Sequence, residues 1–193
     1  MKSKILEALL LMATGVFILA GTPAAVFAAE SPGSSKILVA YFSWSGNTRQ
    51  IAEMVHERVG GDLVELRVVN PYPTEYRACT DQAKAEQNEN ARPALATEIA
   101  DMSSYDTVFI GYPNWWGTIP MALFTFFEQY DFSGKRIIPF CTNEGSGLGR
   151  STRDIAALCP EAALLEGLAV RGGSVGSAAD DVASWIDRIG LSN

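Results

Sequence analysis

Apolar residues along this chain fall into two alternating kinds of run. Residues 37–42, 106–112 and 135–142 are short and almost continuously apolar, as strands buried on both faces of a sheet must be. Residues 62–69 interleave Leu63, Val64, Leu66, Val68 and Val69 with Glu65 and Arg67, which predicts a strand exposed on one face at a sheet edge. Residues 163–170 read as a fifth strand. Between these runs apolar residues recur at helical spacing. Ile51, Ala52, Val55 and Val59 do so up to the Gly60-Gly61 stop, and Leu123, Phe124, Phe126, Phe127 and Tyr130 do so behind a cap at Thr118 or Ile119 with Pro120 in the first turn. A short helix is predicted from residue 150 or 151 to Leu158, and a last one over 178–189 with Val182, Trp185, Ile186 and Ile189 on one face. Residues 74–90 predict a polar surface helix and 94–100 a second short helical segment. Pro139, inside an apolar run, has to sit where its missing N–H does no harm.

Strand and helix therefore alternate, which predicts an α/β doubly wound architecture: five parallel strands, right-handed crossovers and helices on both faces. Ligands of such sheets bind beyond the carboxyl ends of the strands. The loops after the first, third and fourth strands are there, and none is a plain connector. In the first, Ser43-Trp44-Ser45-Gly46-Asn47-Thr48 leads directly into a helix, where free backbone N–H groups and the positive end of the helix dipole suit a phosphate. Ser43, Ser45 and Thr48 add hydroxyl donors and Gly46 permits close approach, while Lys and Arg are absent, so the cradle is neutral. Gly46 is followed by Asn47 rather than Lys, which excludes a triphosphate loop, and a single Gly does not make a dinucleotide fingerprint. The same hydroxyls also suit a simple cap and turn. In the second loop, Pro113-Asn114-Trp115-Trp116-Gly117, the paired indoles either plug the top of the core or wall a site for a flat aromatic ring. The third, Thr142-Asn143-Glu144-Gly145-Ser146, opens a Gly-rich stretch that runs to Gly149.

Residues 43–48 resemble the phosphate loop of flavodoxins, in which hydroxyls and amides hold the phosphate of FMN. Residues 112–120 resemble the isoalloxazine-binding loop of flavodoxin-like quinone reductases, and residues 140–147 are similar to the third flavin loop of the same relatives, a Thr-x-Gly-Gly-Ser-Gly pattern. The resemblance covers residues 36–193. It implies the flavodoxin-like strand order 2-1-3-4-5, FMN as cofactor and the three loops as its contacts, with the Trp116 and Gly117 N–H groups near flavin N5 and O4. Glu144 departs from the pattern, which has Gly there, and a carboxylate beside the N1 and O2 end of the ring would oppose reduction. Function then follows as an electron carrier or a small FMN-dependent oxidoreductase, served by a redox partner protein or a small quinone-like acceptor. The chain offers no nucleophile, carboxylate pair or Cys/His dyad for protein-based chemistry, so the cofactor would carry the reaction. Arg150, Arg153 and Arg171 are either anion partners for a reductase substrate or solvated element ends. The alternative, from another class, is a binding module that keeps the fold without FMN.

Composition narrows the setting. With 193 residues, 48% hydrophobic and 19% charged, the chain has room for one well-buried domain. Lys2 and Lys4 precede an apolar stretch that ends in Val26-Phe27-Ala28, so residues 1–28 read as a cleaved export signal and 29–35 as a linker; uncleaved, the segment would be a membrane anchor. Loss of Lys2, Lys4 and Glu7 takes 15 basic and 22 acidic residues to 13 and 21, a formal charge of 13 − 21 = −8, which disfavours nucleic acid and anionic lipid as partners. Cys79, Cys141 and Cys159 show no metal-ligand spacing and cannot all pair, so neither a structural metal nor a disulfide framework is expected. His56, the only histidine, falls off its helix's apolar stripe and reads as a surface residue.

Overall fold

The computed structural model describes residues 36–191, so the predicted export signal and linker lie outside the described residues. Its elements in order are β1 (Ile37–Tyr41), α1 (Asn47–Val59), β2 (Asp62–Glu65), α2 (Tyr76–Glu89), β3 (Thr107–Pro113), α3 (Met121–Gln129), β4 (Arg136–Asn143), α4 (Ser151–Leu158), β5 (Ala163–Leu164), β6 (Leu168–Arg171) and α5 (Ala179–Arg188). All strand pairs of the sheet are parallel, in the order β2-β1-β3-β4-β5, with β6 also on β4. This is the flavodoxin-like doubly wound sheet.

Period-two alternation explains why the central strands read as continuous apolar runs. Leu38 and Ala40 of β1 and Val108, Ile110 and Tyr112 of β3 enter one core layer, with residues of α3 and α4. Val39, Tyr41 and Phe109 enter the opposite layer, built with α1 and α5. In that second layer Gly111 stands beside Phe140 in register, and a Cβ at Gly111 would run into the Phe140 ring. Phe140 cannot give way easily, because it packs edge-on to the fully buried Trp185.

Four expectations are corrected. The predicted strand 163–170 is two pieces: β5 pairs with Arg136 and Ile137, β6 with Phe140 to Asn143, and after the Leu165 N–H has bonded Ile137 O, residues 166 and 167 leave the ladder between them. That gap lies opposite Pro139, which has no N–H to offer, and Gly167 lets the chain pass close to the Pro139 carbonyl. The predicted strand 62–69 stays in the sheet only to Glu65, after which it turns to a new partner. That partner is residues 94–100, extended rather than helical: Val68 bridges Leu95 antiparallel, Val69 N–H donates to Ala94 O and Ala96 N–H to Arg67 O. Pairing to the otherwise open edge outweighed the weak helical pattern there. Finally, α3 begins at Met121 with Pro120 in the flanking cap position, and Thr118 does not cap it but donates to Asp154 on α4 at 2.5 Å.

Among the described residues no helix is long and apolar enough to cross a membrane. Cys79, Cys141 and Cys159 are buried free thiols. His56 lies part-buried in the last turn of α1, its Nδ1 3.3 Å from Gly60 O.

Gly111→Ala is expected to destabilise the fold by about 1–3 kcal/mol through overpacking against Phe140. Urea unfolding followed by circular dichroism measures this, and an unchanged midpoint would contradict the packing described.

Candidate functional site

Register brings the three loops to one level. Phe42 N–H donates to Gly111 O, and Asn114 N–H donates to Thr142 O, so the chain leaves β1, β3 and β4 side by side. Between the loops lies a cleft of about 490 Å³. From the first loop it is lined by Trp44, Ser45 and Asn47; from the second by Pro113, Asn114, Trp115 and Trp116; from the third by Thr142, Asn143, Glu144 and Ser146. Ser43, Gly46, Thr48, Gly117 and Gly145, also expected at the site, shape these loops without lining the cleft.

Each of those five has a structural task. Gly46 caps α1 in the left-handed region at φ 92°, open to no other residue type without strain. Ser43 Oγ accepts the Arg49 N–H at 3.3 Å, so its own proton remains available. Thr48 is buried, with its hydroxyl 2.9 Å from that of Thr142. In such a pair one hydroxyl donates and the other keeps its proton, and Thr142 is the member that faces the cleft. Among the described residues no acceptor is provided for the Asn47 and Thr48 N–H groups, the ordinary state of first-turn amides. The loop thus presents backbone N–H groups and hydroxyls, with Arg49 and Arg67 drawn off to Glu65 of β2. Burial alone would raise the Glu65 pKa, but hydrogen bonds from those two guanidinium groups hold it below the usual range.

In the second loop Trp115 and Thr118 exchange two backbone hydrogen bonds across Trp116 and Gly117, at φ 51° and 84°. Positive φ at both central residues marks a type I′ turn, strained for Trp116. The turn is tied down on both sides: Trp116 Nε1–H donates to Thr80 O on α2 at 2.9 Å, and Gly117 O accepts the Arg150 N–H at 2.8 Å. The two indoles differ. Trp115 packs edge-on to Phe42 and Tyr72, whereas Trp116 is 51% exposed beneath the Lys84 ammonium.

Amides organise the third loop. Asn143 Oδ1 accepts the N–H groups of Gly145 and Gly147 at 2.7 and 3.1 Å, and its Nδ2 donates to Val170 O. Asn114 reaches across from the second loop, donating Nδ2 to Gly147 O at 2.6 Å. Since a carbonyl only accepts, this fixes the amide's orientation and leaves Asn114 Oδ1 buried without a partner. Cys141 donates to the same carbonyl; burial pushes its thiol up to about 12, so it is a structural donor and no nucleophile. Glu144 is exposed, and its carboxylate lies against Gly172, where a Cβ would strike it and would come within 3.1 Å of Asn47 Nδ2.

Tyr76, Thr80, Ala83 and Gly172 also line the cleft, and the sequence reading missed them. The signal for the first three was their spacing of four and three residues, one helix face. The arginines held as anion partners are otherwise engaged: Arg150 pairs with Asp154, Arg153 approaches it at 3.9 Å, and Arg171 donates to Glu144 O.

A flavodoxin family profile matches residues 36–189. The chain belongs to the flavodoxin family. Flavodoxin from Nostoc sp. is 25% identical over 132 residues, covering 66% of this chain and 63% of that protein, so the chain spans less than two thirds of this relative. A crystal structure of a flavoprotein from Bacteroides uniformis superposes at a TM-score of 0.72 with 30% identity, over 80% of this chain and 99% of its own. A flavoprotein from Lactobacillus acidophilus, crystallised in complex with FMN, shares the fold at a TM-score of 0.61 and 22% identity, over 78% and 99%. Within this flavodoxin-family chain the cleft opens between the loops after β1, β3 and β4, beside the switch point where β1 neighbours both β2 and β3.

Thr142→Val should cost about 1–2 kcal/mol, because it strands the buried Thr48 hydroxyl, Thr48→Val should cost less, because Thr142 faces the cleft, and the double variant should cost less than the sum of the two. Denaturant unfolding of the four proteins reads the coupling, and additive losses would show that the two hydroxyls do not interact.

Proposed function

We propose that the cleft binds FMN, with the phosphate at the N-terminus of α1 and the ring between the second and third loops, and that the protein is an electron-transfer flavodoxin. The carrying observation is the convergence of the loops after β1, β3 and β4 on one cleft of about 490 Å³ beside the N-terminus of α1. The first loop supplies the Asn47 amide and the Ser45 hydroxyl, donors suited to a phosphate. FMN complexed with the Lactobacillus acidophilus protein of the same fold supports the reading.

FMN when bound supplies one- and two-electron redox chemistry. The chain's own part is to bind, orient and exclude water. Tyr76 and Glu144 are the only titratable side chains lining the cleft among the described residues, so the protein provides no acid and base pair of its own. Trp115 forms a rigid wall, and the exposed Trp116 and Tyr76 leave the mouth open to a redox partner protein or a small quinone-like acceptor. An open mouth favours electron transfer over a dedicated substrate pocket, and the reading of residues 1–28 as an export signal assigns the protein to the cell envelope or exterior.

Fluorescence titration of apoprotein with FMN and riboflavin tests the assignment. FMN should bind more tightly than riboflavin, and Ser45→Ala should weaken FMN binding by about ten- to a hundredfold, the loss of one hydrogen bond to a dianion. Equal affinities for both flavins would overturn the phosphate placement, and binding of neither would favour the FMN-free module. Because its carboxylate lies near Asn47, Glu144→Gln should tighten FMN binding by up to about fivefold, more at low salt. Identical affinities at low ionic strength would show that Glu144 does not sense the phosphate.

A further inference from the structure

Tyr72 stands between two clefts. The first is the candidate cofactor cleft, walled by Trp115. The second, of about 470 Å³, shares Trp44 and Ser45 with the first and is lined by Phe42, Leu66 and Tyr72. The Tyr72 and Trp115 rings meet edge to face at 4.9 Å between centroids, and Phe42 packs against both. Tyr72 is 8% exposed, and its phenol donates to Glu86 Oε2 at 2.7 Å. The other carboxylate oxygen of Glu86 accepts from Gln82 Nε2 at 2.9 Å, which holds the group in place.

Burying a phenol requires an acceptor, and a backbone carbonyl would suffice. A carboxylate does more, since it is a base within hydrogen-bond reach of the phenolic proton. Burial first, and Glu86 second, hold the Tyr72 pKa well above its ordinary value, so the phenol is protonated at neutral pH. The neighbouring Cys79 thiol is likewise pushed up, to about 11, by burial and by Glu86. Indole and phenol are among the most readily oxidised side chains, and an oxidised phenol is a strong acid that must lose its proton. The site provides for both steps within one line of contacts.

We propose that Trp115 and Tyr72 form a one-electron relay between the two clefts, with Glu86 accepting the phenolic proton. A one-electron oxidant of the photoexcited-ring or oxyl-radical class in the first cleft takes an electron from the Trp115 indole. Tyr72 returns an electron to Trp115, and its O–H proton moves along the hydrogen bond to Glu86. The net result is a singly reduced oxidant, a neutral Tyr72 radical and a protonated Glu86. A soluble reductant of the phenol or enediol class reaching the second cleft supplies one electron to Tyr72, and Glu86 gives the proton back. The relay rests on the aromatic contact and the hydrogen bond, independently of FMN binding.

Flash-generated tris(bipyridine)ruthenium(III) is the oxidant for the test, applied to apoprotein carrying Trp116→Phe so that the exposed indole does not compete. Transient absorption should show a tryptophan radical decaying as a tyrosine radical grows. Tyr72→Phe should abolish that growth and prolong the tryptophan radical, while Tyr130→Phe, remote from both clefts, should leave both unchanged. Glu86→Gln should slow the growth while the fold, read by circular dichroism, persists. Tyrosine radical growth that survives Tyr72→Phe or Trp115→Phe, or a rate unaffected by Glu86→Gln, would overturn the proposal. Since no flavin takes part, failure here leaves the FMN assignment standing, and failure of FMN binding leaves this result interpretable.

Discussion

The parallel hydrogen bonding of β1, β3 and β4 is the constraint on which the rest of this molecule depends. Leu38 to Tyr41 pair with Val108 to Gly111, and Thr107 to Pro113 pair with Arg136 to Thr142. Both faces of these strands are buried, so the polar chemistry is confined to their ends. A slip of one residue would turn Phe109 and Phe140 into the wrong layer and leave Gly111 where a large side chain belongs. The register that satisfies the core thereby also fixes where the three loops emerge.

Above the sheet, hydrogen-bond satisfaction takes over from packing. Asn143 closes the third loop on itself and Asn114 ties it to the second, while Arg150 N–H and Thr80 O anchor the turn at Trp116 and Gly117. These are short polar contacts between segments that lack regular structure, and they make loops behave as fixed walls. Among the described residues one buried side-chain acceptor, Asn114 Oδ1, is left without a partner. Buried polar atoms are seldom left unpaired, and this one marks where the hydrogen bonding between the second and third loops ends.

Helix α2 serves both the cleft and its surroundings. One of its faces carries Tyr76, Thr80 and Ala83 to the cleft between the three loops, and Gln82 and Glu86 hold Tyr72 against Trp115. Its polar composition reflects a helix that buries only Cys79 and Ala83. The extended segment at 94–97 has a related logic, since it closes the edge that residues 66–69 would otherwise expose.

How far the sequence reached is clearest at particular residues. The runs at 37–42, 106–112 and 135–142 declared buried strands because burial on two faces forbids charge, and the Ser43 to Thr48 junction declared a turn into a helix because hydroxyls, Gly and a helix start are local features. Strand alternation and the three unusual loops were legible for the same reason. Tertiary structure alone decided what depends on distant partners. It split the fifth strand opposite Pro139, drew residues 94–97 to an edge, and paired Thr48 with Thr142 across 94 residues of chain. It also turned the Glu144 carboxylate to Gly172 and set Tyr72 between Trp115 and Glu86. A residue's own chemistry and spacing are written in the chain, whereas which hydrogen bond it finally makes is set by what the fold brings within 3 Å of it.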